Sequence, residues 1–552
     1  MATVPSVDEL PPLESAPAAR KEPRRLTWAT VLDSRWLPAG IIAFGILLRL
    51  VRYLADRSLW LDESLLTLNL LHRSYAELLE PLDFGQGAPT GFLMLQKLSI
   101  DLFGDAEWAL RLFPLLAGIL SLLLFFAVAR RLLAARAVPL ALLLFATVEP
   151  FVRYSAEAKQ YGFDVAIALA LFYVFLLVVG AGRLTPGRAA VLGLAGAVAV
   201  WLSYPAVFVL AGIALASAVA VARSRDRRGA AMLAAAAGSW AVSFLAVYLL
   251  SLGEVVALRE GVSRAVAPGS RALVKNLYVT FSDPGLMPRT VVGLAAVLGL
   301  VGAVAIWRRR GELPVLAAAG TIGAALVAGY LGKYPVGQRF TLYLLPVALI
   351  FVVAGAVELF RRAERATALM FGVAFLALVM ASPVARATVH LFSPPGVEDI
   401  KPILRAIDER WQPGDTLYVY GNSQYALRYY LECRDCSGVP RRLGRLWPAT
   451  PSRGPAQSAP ALVSDSPSLV IGRQGRGQLE LYLGDLNELR GRERVWLLFA
   501  HSFPLTRHDL TEPLDRMAPR LECVEHGVAF ACVHDFSNAP RTPLPSDASD
   551  AS

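Results

Sequence analysis

Long apolar runs constrain this chain more than any other feature. A helix needs about 20 mostly apolar residues to cross the hydrocarbon core of a bilayer. Runs of that kind lie near 37–55, 108–128, 136–152, 162–180, 187–203, 205–222, 229–251, 289–307, 313–331, 338–357 and 366–383. The pattern predicts a polytopic helical membrane protein with about eleven transmembrane helices. Only "SYP" separates the runs at 187–203 and 205–222. Composition agrees: 55% of the 552 residues are hydrophobic and 18% are charged, which lies outside the range of soluble domains. The net charge of +10 resides largely in Arg-rich turns between spans, so it does not point to a nucleic-acid partner.

Those turns also set an orientation. "RRLLAAR" (130–136), "GRLTPGR" (182–188), "RSRDRR" (223–228), "RRR" (308–310) and "RRAER" (361–365) fall at every second connection, on the same side as the N-terminal "RKEPRR". The excess of Lys and Arg makes that side cytoplasmic. The loop at 56–107, the segments at 149–164 and 332–340, and the tail from 392 are then extracytoplasmic. The expected organisation is a disordered cytoplasmic tail (1–36), a transmembrane module (37–391), an extracytoplasmic domain (392–536) and a second disordered tail (537–552).

All four cysteines, Cys433, Cys436, Cys523 and Cys532, lie in the outer region. An oxidising compartment permits disulfides there, and Cys433–Cys436 with Cys523–Cys532 is the simplest of three pairings. Zinc binding would instead need both pairs or nearby histidines. The same region alternates helix and strand patterns: "VEDIKPILRAIDERW", "GDTLYVYG", "NSQYALRYYL", "GQLELYLGDLNELRG", "RVWLLFAHS" and a hairpin around His526-Gly527. This predicts a small α/β domain. It carries no catalytic motif and reads as a support or an acceptor guide.

Ionisable residues gather at the outer boundary of the spans. "SLWLDESLLTLNLLHRS" (58–74) sets Asp62 and Glu63 between Trp60 and a row of leucines. Asp62 has a local reading as the cap of a helix starting at Glu63. Capping leaves unexplained why the acids stand at a membrane boundary, where ionisable groups are costly and usually functional. A second cluster, "RYSAEAKQYGFD" (153–164), holds Arg153, Tyr154, Glu157, Lys159, Gln160 and Tyr161. An interfacial belt accounts for Arg153 and Tyr154 but needs no carboxylate, so Glu157 and Lys159 are site candidates. A third cluster holds Lys333, Tyr334, Gln338, Arg339 and Tyr343. Arg339 either anchors a helix end or, with its neighbours, suits a phosphate. "FGQGAPTGFLMLQKLSIDLFG" (84–104) reads as helices lying on the membrane surface, with Gln86, Pro89, Gln96 and Lys97 lining a groove or meeting headgroups.

An outer loop opening with "WLDE", a long amphipathic loop, "ALRLFPLLAG" (109–118) leading into the second span and "YSAEAKQY" (154–161) before the fourth together resemble the GT-C glycosyltransferases. More narrowly, they resemble the bacterial protein O-mannosyltransferase and aminoarabinose-transferase-like group. The likeness covers roughly 37–390 and is strongest over 58–165; the C-terminal region carries none of it. The resemblance implies a GT-C-like fold in the bacterial cytoplasmic (inner) membrane. It implies transfer of a sugar from a polyprenyl-phosphate donor to a hydroxyl on a lipid, glycan or protein. It makes Asp62 the catalytic base, with Glu63 and Glu157 as further acids, Glu63 also serving to cap the helix or steady its neighbour. Arg153, Lys159, Gln160, Tyr161, Lys333 and Arg339 become substrate-binding candidates, and a divalent cation (Mg²⁺ or Mn²⁺) can share the charge work, though no ligand spacing requires one.

Elementary chemistry is compatible with that expectation. A sugar phosphate already has a good leaving group. What remains is to take the acceptor's proton and to stabilise the departing phosphate. The main rival is a polytopic transporter or lipid flippase, which would place ionisable groups near the bilayer midplane, often in internal repeats. An oligosaccharide ligase using a polyprenyl diphosphate is a second rival, and a non-catalytic membrane scaffold for the outer domain is a third.

Overall fold

The computed structural model describes residues 34–179, 184–253, 292–362, 367–392, 398–439, 468–473, 478–501 and 505–541. The expected disordered tails fall largely outside the described residues. So do parts of the turns at 182–188 and 361–365 and the first residues of the runs at 289–307 and 366–383. Helix α1 is Trp36–Leu54. Two helices of the loop at 56–107 follow, α2 (Leu61–His72) and α3 (Thr90–Phe103). Next come α4 (Glu107–Leu132), α5 (Val138–Thr147), α6 (Glu149–Arg153), α7 (Tyr161–Val178), α8 (Pro186–Leu202), α9 (Ala206–Ser224) and α10 (Arg227–Val247). Helices α11 (Val292–Arg310), α12 (Leu313–Tyr330), α13 (Leu345–Arg362) and α14 (Thr367–Phe392) complete the membrane module.

Among the described residues, eight helices are long and apolar enough to cross a membrane, or up to nine if one bent pair is a single span. The run at 136–152, expected as one rod, is that pair: Ala135–Thr147 and Glu149–Ala156 meet at 60°. Val148 is extended there and Pro150 opens the next helix, which interrupts the hydrogen-bond ladder. Arg49 occupies the break, its Nη1 donating to the carbonyls of Gly45 at 2.9 Å and Ala146 at 3.4 Å. It thereby sets a cation at the C-terminal end of α5. Helix α8 has 17 residues and α14 has 26. The runs read from the sequence therefore all carry helix. The short "SYP" turn suffices between α8 and α9 because it is anchored. Ser203 Oγ donates to Asp164 Oδ1 at 2.6 Å, and the Tyr204 hydroxyl to the carbonyl of Ala88 at 2.8 Å.

Helices in lipid lack a hydrophobic drive toward each other, so small residues let them approach. Gly302 of α11 and Gly355 of α13 illustrate this. A methyl group on Gly302 would overlap the Phe351 carbonyl, and one on Gly355 would overlap that of Leu298. The basic connections meet at one end of the bundle. Arg310 Nη2 donates to the Leu133 carbonyl at 3.3 Å, Arg309 and Arg362 both engage Glu358, and Arg223 pairs with Glu312.

The C-terminal region forms α15 (Ile400–Arg410), β1 (Thr416–Val419), α16 (Ser423–Glu432), β2 (Leu469–Ile471), α17 (Gln478–Glu488), β3 (Val495–Phe499), α18 (Arg507–Met517), β4 (Arg520–His526) and β5 (Ala529–His534). The sheet order is β2-β1-β3-β5-β4, with β1 parallel to β2 and β3, and β5 antiparallel to β3 and β4. The β4–β5 hairpin turns at Gly527 with φ +63°, a conformation glycine adopts without penalty. Both disulfides pair as expected, Cys433–Cys436 and Cys523–Cys532. Packing continues past 537, the expected start of the second tail: Ala539 is buried and its carbonyl accepts from Arg490 Nε at 2.9 Å.

This domain is seated on the outer loop. Leu59, Leu66 and Leu70 share one hydrophobic cluster with Phe92, Ile403, Leu404, Tyr429 and Trp496. Helix α2 is therefore enclosed between spans and domain. Helix α3 keeps an exposed apolar side, Leu98, Leu102 and Phe103, as expected of a helix at a membrane surface.

Candidate active site

The helix ends opposite the basic turns bring the three sequence clusters into one group. Helix α2 starts at Leu61, not at Glu63, with Trp60 at the N-cap position. The acid that reaches back to the helix start is Glu63, whose Oε2 accepts the Trp60 N–H at 3.3 Å. Asp62 is thus not the cap, and its carboxylate pairs instead with Arg339. That pair is reachable: the Asp62 side chain is 19% exposed and Arg339 26%. Arg339 belongs to a 3₁₀ segment, Gln338–Leu344. Its guanidinium lies 5.5 Å from the Trp60 ring centre and 5.4 Å from those of Tyr161 and Phe340. Arg153 lies 5.9 Å from the same Trp60 ring, so one indole steadies both cations.

Glu63 is the structural partner of this group. It is 1% exposed. Arg111 holds it on both oxygens, Nε to Oε1 at 3.0 Å and Nη2 to Oε2 at 2.8 Å. The Ala158 N–H donates to Oε1 at 2.6 Å, which ties the second cluster to α2. Burial alone would raise the Glu63 pKa. The charge and hydrogen bonds of Arg111, with the Ala158 N–H, outweigh it and hold the carboxyl below its usual range. Glu157 is shifted in the opposite direction. Burial and the neighbouring Glu63 push it up against the pull of Arg153, whose Nε donates to Oε1 at 2.7 Å. Its Oε2 is buried and has no hydrogen-bond partner.

Lys159 is 3% exposed, and its Nζ donates to Gln86 Oε1 at 2.7 Å. Burial lowers its pKa to about 8, against the opposing charge of Asp62. Gln160 Nε2 donates to the Gly87 carbonyl at 3.4 Å, and Tyr161 packs edge-on against Tyr154 and Phe340. Lys333 is exposed in the turn that closes α12. Of the other groove candidates, Pro89 precedes the first residue of α3 and Gln96 is fully buried. Lys97 reaches the Leu70 carbonyl at 3.1 Å and so braces α3 on α2. An apolar cleft between α7, α9, α12 and α13, lined by Phe172, Val209, Ile322 and Tyr343, begins on the 3₁₀ segment that carries Arg339.

Sequence reasoning gave no role to Trp60 and passed over Arg111, Arg57, Glu398 and Tyr430. Arg111 carried a usable signal, since it interrupts an apolar run. Among the described residues no three His, Cys, Asp or Glu side chains converge on one point, and the carboxylates of Asp62 and Glu157 are each engaged by an arginine. These residues do not assemble a cage for the divalent cation that the resemblance allows.

Residues 88–250 match the family model described as dolichyl-phosphate-mannose-protein mannosyltransferase. The match covers less than a third of the chain, holds Arg153, Glu157 and Lys159, and begins after Asp62. It is similarity to a class of membrane glycosyltransferases, in line with the GT-C resemblance. Among solved structures, ArnT from Cupriavidus metallidurans bound to undecaprenyl phosphate is similar at 14% identity and a TM-score of 0.46, over 91% of this chain and 99% of that one. AglB, the oligosaccharyltransferase from Archaeoglobus fulgidus in complex with an inhibitory peptide and a dolichol-phosphate, is similar at 13% identity and a TM-score of 0.44, over 73% of this chain and 64% of that one. The chain thus spans less than two thirds of that oligosaccharyltransferase. No curated protein matches the sequence.

Proposed function

We propose that this chain is an inverting glycosyltransferase that moves a sugar from a polyprenyl-phosphate donor to a hydroxyl acceptor at the outer side of the bacterial cytoplasmic membrane, with Asp62 as base. One observation carries the reading: Asp62, a reachable carboxylate held by Arg339 and facing Lys159, belongs to a charge network with a surplus of cations. Arg52, Arg57, Arg111, Arg153, Lys159 and Arg339 stand against Asp62, Glu63, Glu149 and Glu157, and burial biases Glu157 toward its neutral form. A buried positive surplus calls for an anion, and phosphate suits paired Arg and Lys. An apolar cleft that touches the far end of the Arg339 segment, at Tyr343 and Leu344, offers apolar surface to the polyprenyl chain. Part of the membrane module matches a mannosyltransferase family, which supports a sugar as the group moved.

The donor phosphate competes for Arg339 and so releases Asp62 from its ion pair. Asp62 takes the acceptor's hydroxyl proton as that oxygen bonds to C1 of the sugar. The bond from C1 to the phosphate oxygen breaks, and its electron pair leaves with polyprenyl phosphate. Arg339 and Lys159 meet the charge. One displacement inverts C1. The free Oε2 of Glu157 accepts a hydrogen bond from a sugar hydroxyl or carries its own proton. The outer side is supported by the gathering of basic turns at the opposite end. The charges lie at the outer helix ends, around the α5–α6 break and the 3₁₀ segment, which favours transfer over transport.

Lys159 makes the reading testable by pH. Its charge is present below about 8 and is lost above it. Titrating polyprenyl phosphate into the purified protein should therefore give a Kd that rises with pH above about 8, by up to about tenfold per unit. Lys159→Arg should flatten that rise, because a guanidinium stays charged. Arg339→Ala should weaken binding by about tenfold or more, the worth of one charge-assisted hydrogen bond. Binding that ignores both pH and Arg339→Ala would contradict the phosphate site.

A further inference from the structure

We propose that the C-terminal α/β domain is a positioning clamp for Asp62, acting through Glu398 and Tyr430 on the backbone of the loop that presents it. The inference rests on the reading of Asp62 as base. Its starting point is that the irregular loop between α1 and α2 carries N–H groups that need partners.

Most of those partners come from more than 300 residues away in the chain. Ser58 N–H donates to Asp399 Oδ1 at 3.1 Å. Leu59 N–H donates to the Tyr430 hydroxyl at 2.7 Å. Leu61 N–H donates to Glu398 Oε2 at 2.9 Å. Of this stretch, Trp60 alone is served locally, by Glu63. On the carbonyl side, Arg111 donates to Arg57 O at 2.8 Å and Ser58 O at 3.2 Å while it also holds Glu63.

The domain side of the clamp is itself braced. His501 Nδ1 lies 2.5 Å from Glu398 Oε1. The Tyr430 hydroxyl donates to Glu107 Oε1 at 3.0 Å. Lys401, 2% exposed, reaches Glu107 at 2.7 Å and Asp56 at 2.8 Å, and its own N–H donates to Ser58 Oγ at 3.0 Å. The result is a loop held near both ends by side chains of this domain. Glu398 grips the N–H of Leu61, the residue before Asp62. That grip fixes where the carboxylate stands relative to Arg339, and a displacement of about 1 Å at a reacting group costs on the order of 10²-fold in rate. Glu398 and Tyr430 are positioning residues, and the domain is part of the transferase's catalytic apparatus without being a catalytic centre.

The test uses the full chain in lipid vesicles with a polyprenyl-phosphate sugar that the wild type turns over. Glu398→Ala and Tyr430→Phe should each lower kcat by on the order of 10–100-fold. The donor KM and the number of polyprenyl-phosphate sites per protein should stay unchanged, because Arg339 and Lys159 are untouched. Glu398→Gln retains a carbonyl oxygen for the Leu61 N–H and should recover most of the rate. Tyr430→Phe removes one hydroxyl only, so it decides the matter if Glu398→Ala does not fold. Wild-type kcat in the folded variants overturns the clamp, as does loss of donor sites in step with kcat, which marks a folding role. Asp62→Asn in the same assay separates the two readings. Activity in that variant overturns the base assignment and the clamp with it, whereas an inactive Asp62→Asn beside fully active clamp variants overturns the clamp alone.

Discussion

Asp62→Asn is expected to leave the protein folded in the membrane and to lower sugar transfer by on the order of 10²–10⁴-fold, the range for loss of a general base. The substitution is close to isosteric and keeps a carbonyl oxygen toward Arg339. What it removes is the ability to take a proton. The start of α2 does not depend on the Asp62 side chain, since Trp60 holds the N-cap position and Glu63 supplies the contact back to it. Because Asp62 competes with the phosphate for Arg339, polyprenyl phosphate should bind this variant at least as tightly as wild type, and a loss of activity with unchanged melting behaviour and undiminished binding isolates the chemical step. Full transfer activity in this variant would remove Asp62 from the role of base.

The second large effect is on stability. Arg111→Met is expected to destabilise the protein by about 3–5 kcal/mol, the usual result of removing one partner from a buried ion pair. Arg111 and Glu63 are 3% and 1% exposed. Without the guanidinium, burial of Glu63 is opposed only by the Ala158 N–H and the charge of Arg57, and the loop carbonyls of Arg57 and Ser58 lose the Arg111 donor. Adding Glu63→Gln to Arg111→Met should restore part of the loss, because a neutral amide carries no charge to desolvate. Denaturant unfolding in detergent reads both. A single variant within about 0.5 kcal/mol of wild type, the usual range for surface substitutions, would show that the pair does not organise this end of the bundle.

Much of this architecture can be read from the sequence because bilayers impose length and charge rules on each helix separately. The apolar runs all carry helix, and the basic turns meet at one end. The run at 136–152 is the exception, since a local Pro and an extended Val148 set its bend. Asp62, Glu157, Lys159 and Arg339 stand out in the sequence as charges at a costly boundary. Their division of labour does not, because it depends on partners distant in the chain. Glu63 is expected to cap the helix or steady its neighbour, but its buried partner Arg111 is seen only in the fold. Glu398 and Tyr430 read as ordinary members of an α/β domain; only the fold brings them to the N–H groups of Leu59 and Leu61. Helix α18 also escapes a sequence reading, since "RHDLTEPLDRM" is polar and contains Pro513.

The central claim is a single inverting displacement from a polyprenyl-phosphate sugar. The most direct measurement incubates the purified protein in lipid vesicles with a panel of such donors and hydroxyl acceptors. The anomeric configuration of the product is followed by NMR together with release of polyprenyl phosphate. The account predicts one donor consumed, polyprenyl phosphate released in equal amount, and a product of opposite anomeric configuration. A product that retains the donor's configuration would contradict it, as would lipid movement across the bilayer without any donor consumed.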